Sequence, residues 1–261
     1  MTSLELSPRE DSPLYFRKNP DHPAAPLRIA CDNVIAVGVL ARHAWQLEEL
    51  KFAEWVLIGR EPITLIDVGA NMGLFTRQVL ARLRNIKNVV VYEPHPVNFD
   101  LLSFNLAPFE RIEYVNAALS DIEGQLEFFL DPENCGNYSL NKAAMPAEYS
   151  STVVKVKSAF DESRRWLAES NLIFYKSDTQ GFDELIATQF DMPFWKSVAG
   201  GILELWQIDK PAYDAAKLEE ILDSFPNKVL LYAPSVRLST ADVLDFIRGH
   251  DRKHADLGFW R

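Results

Sequence analysis

The stretch Ile63-Thr64-Leu65-Ile66-Asp67-Val68-Gly69-Ala70-Asn71-Met72-Gly73 decides how the rest of the chain reads. Its first half is a mostly apolar run closed by an acid and a glycine, which suits a central parallel strand buried on both faces, with the acid at its carboxyl end. Gly69 and Gly73 then bracket a turn into a helical pattern over 73–83, and a missing Cβ lets backbone approach a ligand closely. Working outward, a strand is expected at 89–92, a helix at 97–106 and a strand at 112–116. Strands alternating with helices imply a parallel sheet. Two strand-like runs, 126–130 and 153–156, flank a polar insert over 131–151 that is a candidate lid. The alternation then resumes, with strands near 172–176, 201–206 and 228–232 and helices near 183–190, 213–224 and 240–249. Upstream, residues 1–28 are rich in Pro, Ser and charge and read as a flexible arm without regular structure. Residues 29–60 hold a short apolar run at 34–37 and then a helical pattern in which Leu47, Leu50, Phe52, Trp55 and Val56 return to one side, read as a cap before the main domain at 61–261.

In an open parallel sheet the ligand crevice lies outside the carboxyl ends of the strands, so Asp67 and the turn after it face that crevice. A nicotinamide cofactor would call for Gly-x-Gly-x-x-Gly, with pyrophosphate on bare helix N–H groups; here the middle position is Asn71, and Asp67 would repel pyrophosphate. A cofactor bearing an ammonium, a carboxylate and a sulfonium suits an acid beside an amide. Twenty-six positions after Asp67, the apolar run 88–92 ends in Glu93, where a carboxylate accepts both hydroxyl protons of a ribose. The bland alternative is that each acid merely caps the helix that follows it.

Three motifs in order, Asp67-Val68-Gly69-Ala70-Asn71-x-Gly73-x-Phe75-Thr76, Tyr92-Glu93-Pro94-x-Pro96-x-Asn98 and Lys176-x-Asp178-x-Gln180-Gly181-Phe182-Asp183, resemble the FkbM-like family of methyltransferases. The resemblance implies an α/β, Rossmann-like class I methyltransferase fold, with a central, mostly parallel sheet and helices on both faces. It implies S-adenosylmethionine as cofactor, held by Asp67, Gly69, Ala70, Asn71, Gly73, Phe75, Thr76, Glu93, Pro94, Asn98, Ala118 and Asp178. It also implies O-methylation of a small molecule or sugar. The chain departs from the family at Thr179-Gln180, where Val-Glu is commoner.

Methyl transfer to a hydroxyl needs in-line placement and a base within hydrogen-bond reach. The strand pleat puts Lys176 and Asp178 on one face beside the expected crevice, making Asp178 the first candidate base. Glu204 interrupts an apolar strand, and a buried carboxylate requires a partner. Lys176 would serve if the two strands are neighbours. In the catalytic reading Asp178 or Glu204 takes the proton and Lys176 tunes them. In the structural reading Lys176 and Glu204 form a buried pair while Asp178 braces the turn at 179–181.

The chain's 261 residues carry 37 acidic and 27 basic side chains, a formal net charge of -10 that repels polyanions, so no nucleic-acid partner is expected. Arg77, Arg82, Arg84 and Lys87 read as a solvated helix face. Cys31 and Cys135 suggest neither a disulfide framework nor a zinc pattern. His95, between two prolines, reads as a surface residue; His250 and His254, in an apparent charged tail, read as solvated, and no metal is expected. Asn137, Tyr138 and Ser139 of the insert and Trp206 are further candidates to close over ligands. No apolar run reaches membrane-spanning length, which with the absence of a leader pattern leads to a cytoplasmic expectation. The proline-rich arm offers a route to a homo-oligomer. Competing functions are an RNA or protein methyltransferase, a lapsed S-adenosylmethionine-binding module, and a nicotinamide dehydrogenase.

Overall fold

The computed structural model describes residues 25–261 apart from 33, 43, 61 and 171, together with the backbone of two short strands upstream. Most of the segment read as a flexible arm therefore lies outside the described residues. Within it, β1 (Leu4–Glu5) and β2 (Leu14–Phe16) pair antiparallel, and β2 pairs antiparallel with β3 (Leu27–Ile29), so regular structure enters between the prolines after all. The cap that follows is helical from its start. The run 34–37 opens α1 (Ile35–Arg42), with Asp32 Oδ1 accepting from the Ala36 amide at 2.8 Å, and α2 (Leu47–Leu57) follows.

The main sheet is built from β4 (Ile63–Val68), α3 (Leu74–Arg82), β5 (Ile86–Tyr92), α4 (Pro96–Leu106) and β6 (Ile112–Val115), each strand and helix close to where the residue pattern puts it. A separate small sheet of β7 (Ala118–Ser120), β8 (Gly124–Leu130) and β9 (Ser150–Ser158) carries the polar insert between its last two strands. The chain returns through α5 (Ala159–Glu169), β10 (Ile173–Ser177), α6 (Asp183–Gln189), α7 (Met192–Ser197), β11 (Val198–Trp206), α8 (Ala215–Asp223), β12 (Asn227–Leu230), α9 (Thr240–Ile247) and β13 (His254–Trp260). The last strand corrects the reading of a charged tail: Ala255, Leu257, Phe259 and Trp260 are buried, and only 250–254 keep the tail's exposed character.

Strand order is β12-β13-β11-β10-β4-β5-β6, parallel throughout except for β13, which runs antiparallel to both of its neighbours. This is the doubly wound Rossmann-like arrangement with an antiparallel strand slotted in near one edge. Side-chain alternation divides the core. Ile66, Val68, Val90, Tyr92, Tyr175, Leu203 and Leu205 pack against α5 to α9, while Leu65, Val89, Val91, Phe174 and Ile202 pack against α2, α3 and α4. Helices therefore cover both faces. By the same alternation Asp67, Lys176, Glu204 and Asp256 all fall on the α2–α3 face. Arg77 is 1% exposed and donates to the carbonyl oxygens of Asn105 and Ala25, so the solvated basic face expected at 77–87 begins only after it. Among the described residues no helix is long and apolar enough to cross a membrane.

Candidate active site

The chain winds outward in both directions from between β4 and β10, and at such a switch point the connections leave on opposite sides and open a crevice. A cavity of about 810 Å³ lies there, large enough for a nucleoside cofactor and a small acceptor. Gly69, Ala70 and Asn71 after β4, Glu93 and Pro94 after β5, Asp178 after β10 and Glu204 near the end of β11 all line it, joined by Phe75, Asn98, Ala118 and Lys176.

The turn after β4 is held tightly to its neighbours. The Gly69 and Ala70 amides both donate to the Tyr92 carbonyl, at 3.0 and 2.9 Å, and the Gly73 amide donates to Ala70 O at 2.8 Å. Asn71 N donates to Glu93 Oε2 at 2.9 Å, and Met72 N to Asn71 Oδ1 at 2.7 Å. All five amides from Gly69 to Gly73 are thus engaged, three with the end of β5 and two within the turn, leaving none of them to cradle a pyrophosphate. The glycines save space against protein rather than ligand: a Cβ on Gly69 (φ 77°) would stand 2.0 Å from Asp178 O, and one on Gly73 (φ 75°) 3.1 Å from the Leu106 side chain. That corrects the reason given for both from sequence.

Asp67 is not on the cavity wall. It is fully buried, accepting from Thr76 Oγ1 at 2.6 Å and from Lys176 Nζ at 3.2 Å, so Asp67, Thr76 and Gly73 stand behind the site and not in it. The partner that takes Asp67 out of the crevice is Lys176, its register neighbour on β10. Breaking such a buried pair costs about 3–5 kcal/mol. Burial opposes the Lys176 charge, but Asp67 and Asp178 outweigh it and raise its pKa, keeping the ammonium protonated. Lys176 Nζ is 3.6 Å from Asp178 Oδ2. It does not pair with Glu204: β10 and β11 are neighbours as expected, but Lys176 sits opposite Ile202, two residues short of that acid.

Glu93 does face the cavity. It is 4% exposed, and each carboxylate oxygen accepts one backbone amide, Oε1 from His95 at 2.9 Å and Oε2 from Asn71. Burial pushes its pKa up to about 7 against the pull of those two N–H groups. His95 itself is half-buried and packs edge-on against Tyr138 at 4.9 Å, so it is not the surface histidine that its prolines suggested.

At the other end, Asp178 accepts from Gln46 Nε2 at 2.8 Å and from Gln180 Nε2 at 2.6 Å. Gln180 lies in the left-handed region (φ 57°) and also donates to both oxygens of Glu204, from its side chain at 3.1 and 2.9 Å and from its backbone at 3.2 Å. A glutamate at 180 would put a third carboxylate between two others; the glutamine amide instead bridges Asp178 to Glu204. Burial, then Asp178, Asp183 and Asp256, push Glu204 well above the usual carboxylate range. The backbone of the turn at 179–181 is braced by Asp183, which accepts from Ser177 Oγ at 2.5 Å and from the Thr179 amide at 3.1 Å, while Asp178 holds the Gln180 side chain.

The insert is docked over this site. Asn71 and Asn98 side-chain amides both donate to Cys135 O, at 2.9 and 3.2 Å, while Ser139 Oγ donates to the carbonyls of Thr179 and Gln180 at 3.1 and 2.9 Å. Cys135, Asn137 and Tyr138 line the cavity; Ser139 is fully buried behind it. Trp206 lines it too, with His254 stacked on its ring at 4.8 Å. Gln46, Glu49 and Asp256 complete the wall, and none was found from sequence. Glu49 belongs to, and Gln46 immediately precedes, a helix read only as cap, and Asp256 lies in the stretch read as tail. Among the described residues no group of three or more His, Cys, Asp or Glu side chains is placed to hold a metal.

No protein-family model matches the chain. Methyltransferase sdnD of Sordaria araneosa is 24% identical over 188 residues, 61% of this chain and 71% of that protein. Among solved structures, an S-adenosylmethionine-dependent methyltransferase from Agrobacterium tumefaciens aligns with a TM-score of 0.44 at 10% identity, covering 98% of this chain and 72% of the other. An O-methyltransferase from Bacillus cereus in complex with S-adenosylhomocysteine aligns with a TM-score of 0.40 at 13% identity, over 87% and 86% of the two chains.

Proposed function

We propose that this chain is an S-adenosylmethionine-dependent methyltransferase acting on a hydroxyl of a small molecule or sugar, with the resemblance to the FkbM-like family as its closest guide. The observation that carries the reading is Glu93: a buried carboxylate at the tip of β5 that lines the cavity fits a ribose diol. The engaged amides of the Gly69 to Gly73 turn speak against the nicotinamide alternative, which needs them for phosphate. Ala70, Pro94, Ala118 and Leu119 beside Glu93 supply an apolar slot for adenine.

When bound, the cofactor supplies a methyl group on a positively charged sulfur that leaves as a neutral thioether. The chain's own residues position the acceptor and take its proton. Asp178, held by Gln46 and Gln180, accepts the proton as the acceptor oxygen forms its bond to carbon. Lys176 keeps Asp178 in place and limits the cost of burying its charge. The docked insert keeps water away from the cavity. The experiment is transfer of labelled methyl from S-adenosylmethionine to a panel of sugars and hydroxylated metabolites. Label in a hydroxyl-bearing product supports the reading, and label in RNA or protein alone would overturn its acceptor half.

A further inference from the structure

The end of the cavity away from Glu93 carries charge that proton removal does not use. Besides Glu93, five carboxyls line the cavity, the exposed Glu48 together with Glu49, Asp178, Glu204 and Asp256, and Lys176 is the only ammonium or guanidinium among the described lining residues. That ammonium is already matched by Asp67 and Asp178. Glu204 has the Gln180 amides. Glu49 of α2 and Asp256 of β13 meet each other, and Lys176 acts on Asp256 by electrostatic attraction without a direct bond.

Three observations show that this pair is built for an occupant. Glu49 is 8% exposed, and its Oε2 has no hydrogen-bond donor among the described residues, a costly state for a buried carboxylate. Register sets Asp256 directly opposite Glu204 across β11 and β13, where like charges destabilise a sheet. Burial first, and then Glu49, push Asp256 well above the usual carboxylate range, and the attraction of Lys176 does not offset them. Trp45 and Trp206, the latter with His254 stacked on one face, also line the cavity, and aromatic faces favour an ammonium.

We propose that the acceptor carries a protonated amine, seated between Glu49 and Asp256, in addition to the hydroxyl presented to Asp178. This rests on the methyltransferase reading of the cavity and narrows its acceptor to amine-bearing molecules, such as amino sugars, over neutral polyols. The amine is a handle and not the methylated atom, because its lone pair is occupied while it is charged.

The test uses full-length protein saturated with S-adenosylhomocysteine, titrated calorimetrically with glucosamine and with glucose, which differ by an ammonium for a hydroxyl. Glucosamine is expected to bind at least about tenfold more tightly, the usual scale for a buried charge-assisted contact. Glu49→Gln and Asp256→Asn, each checked for folding by thermal unfolding, should remove most of that preference. Equal affinities, binding of neither sugar, or a preference that survives both substitutions would overturn the proposal with the cofactor reading intact. Failure of S-adenosylhomocysteine to bind in the first place removes the cofactor reading and this inference together.

Discussion

Two acids at strand tips have opposite fates, and the difference lies in what stands across the sheet from each. Asp67 meets Lys176 and is absorbed into the structure; Glu93 meets backbone amides and the Asn98 side-chain amide, with no cation, and lines the cavity. Strand-end position was legible in the pattern of apolar residues. The identity of the residue 109 positions away that neutralises Asp67 was not, because pairing across non-consecutive strands leaves no local trace. The same limit explains why Gln180 looked like a loss: only the fold shows its amide between Asp178 and Glu204. Two outcomes follow at this scale. Asp178→Asn should retain S-adenosylhomocysteine binding and lose turnover by about 10²-fold or more, as removal of a general base does; full turnover would remove Asp178 from the chemistry. Because burial lifts Glu93 to about 7, its charged form, the one proposed to accept ribose hydroxyls, dominates only above that pH. Affinity for S-adenosylhomocysteine should therefore be flat above about pH 7 and fall by up to about tenfold per unit below it. Calorimetry across that range checks this, and Glu93→Ala should abolish the slope along with most of the binding.

Elements are joined at the site by a few contacts whose loss is measurable. The tips of β4 and β10 approach so closely that Gly69 admits no side chain, and its positive φ disfavours one independently. Gly69→Ala should cost about 4 kcal/mol or more, at the exceptional end of single substitutions, read by denaturant unfolding; a loss under about 1 kcal/mol would mean that the strand tips part easily. The insert hangs from Ser139, whose hydroxyl serves two carbonyls and the Asn141 amide. Ser139→Ala strands those groups, so a loss of about 1–3 kcal/mol is expected, with faster hydrogen exchange over 131–145. Unchanged exchange there would show that the insert is held by other contacts. From sequence the insert was recognisable as long and polar, and hence as a loop over the site. Its anchorage was hidden, because Ser139 and Asn141 look like any loop residues until their partners are known.

For the molecule as a whole, the alternation of strands and helices from 63 to 116 sufficed to give a parallel sheet, since each apolar run had the length of a buried strand. The far edge was less readable: β13 follows a charged stretch and mixes His254 and Asp256 into an apolar strand, so periodicity hid it, together with two residues of the cavity wall. The account of that cavity stands on a cofactor whose ribose meets Glu93 and whose binding needs no free amide in the β4 turn. The most direct measurement is calorimetric titration of the purified chain with S-adenosylhomocysteine and, separately, with NADH. One equivalent of S-adenosylhomocysteine should bind and NADH should not; tight binding of NADH with no heat from S-adenosylhomocysteine would contradict the account.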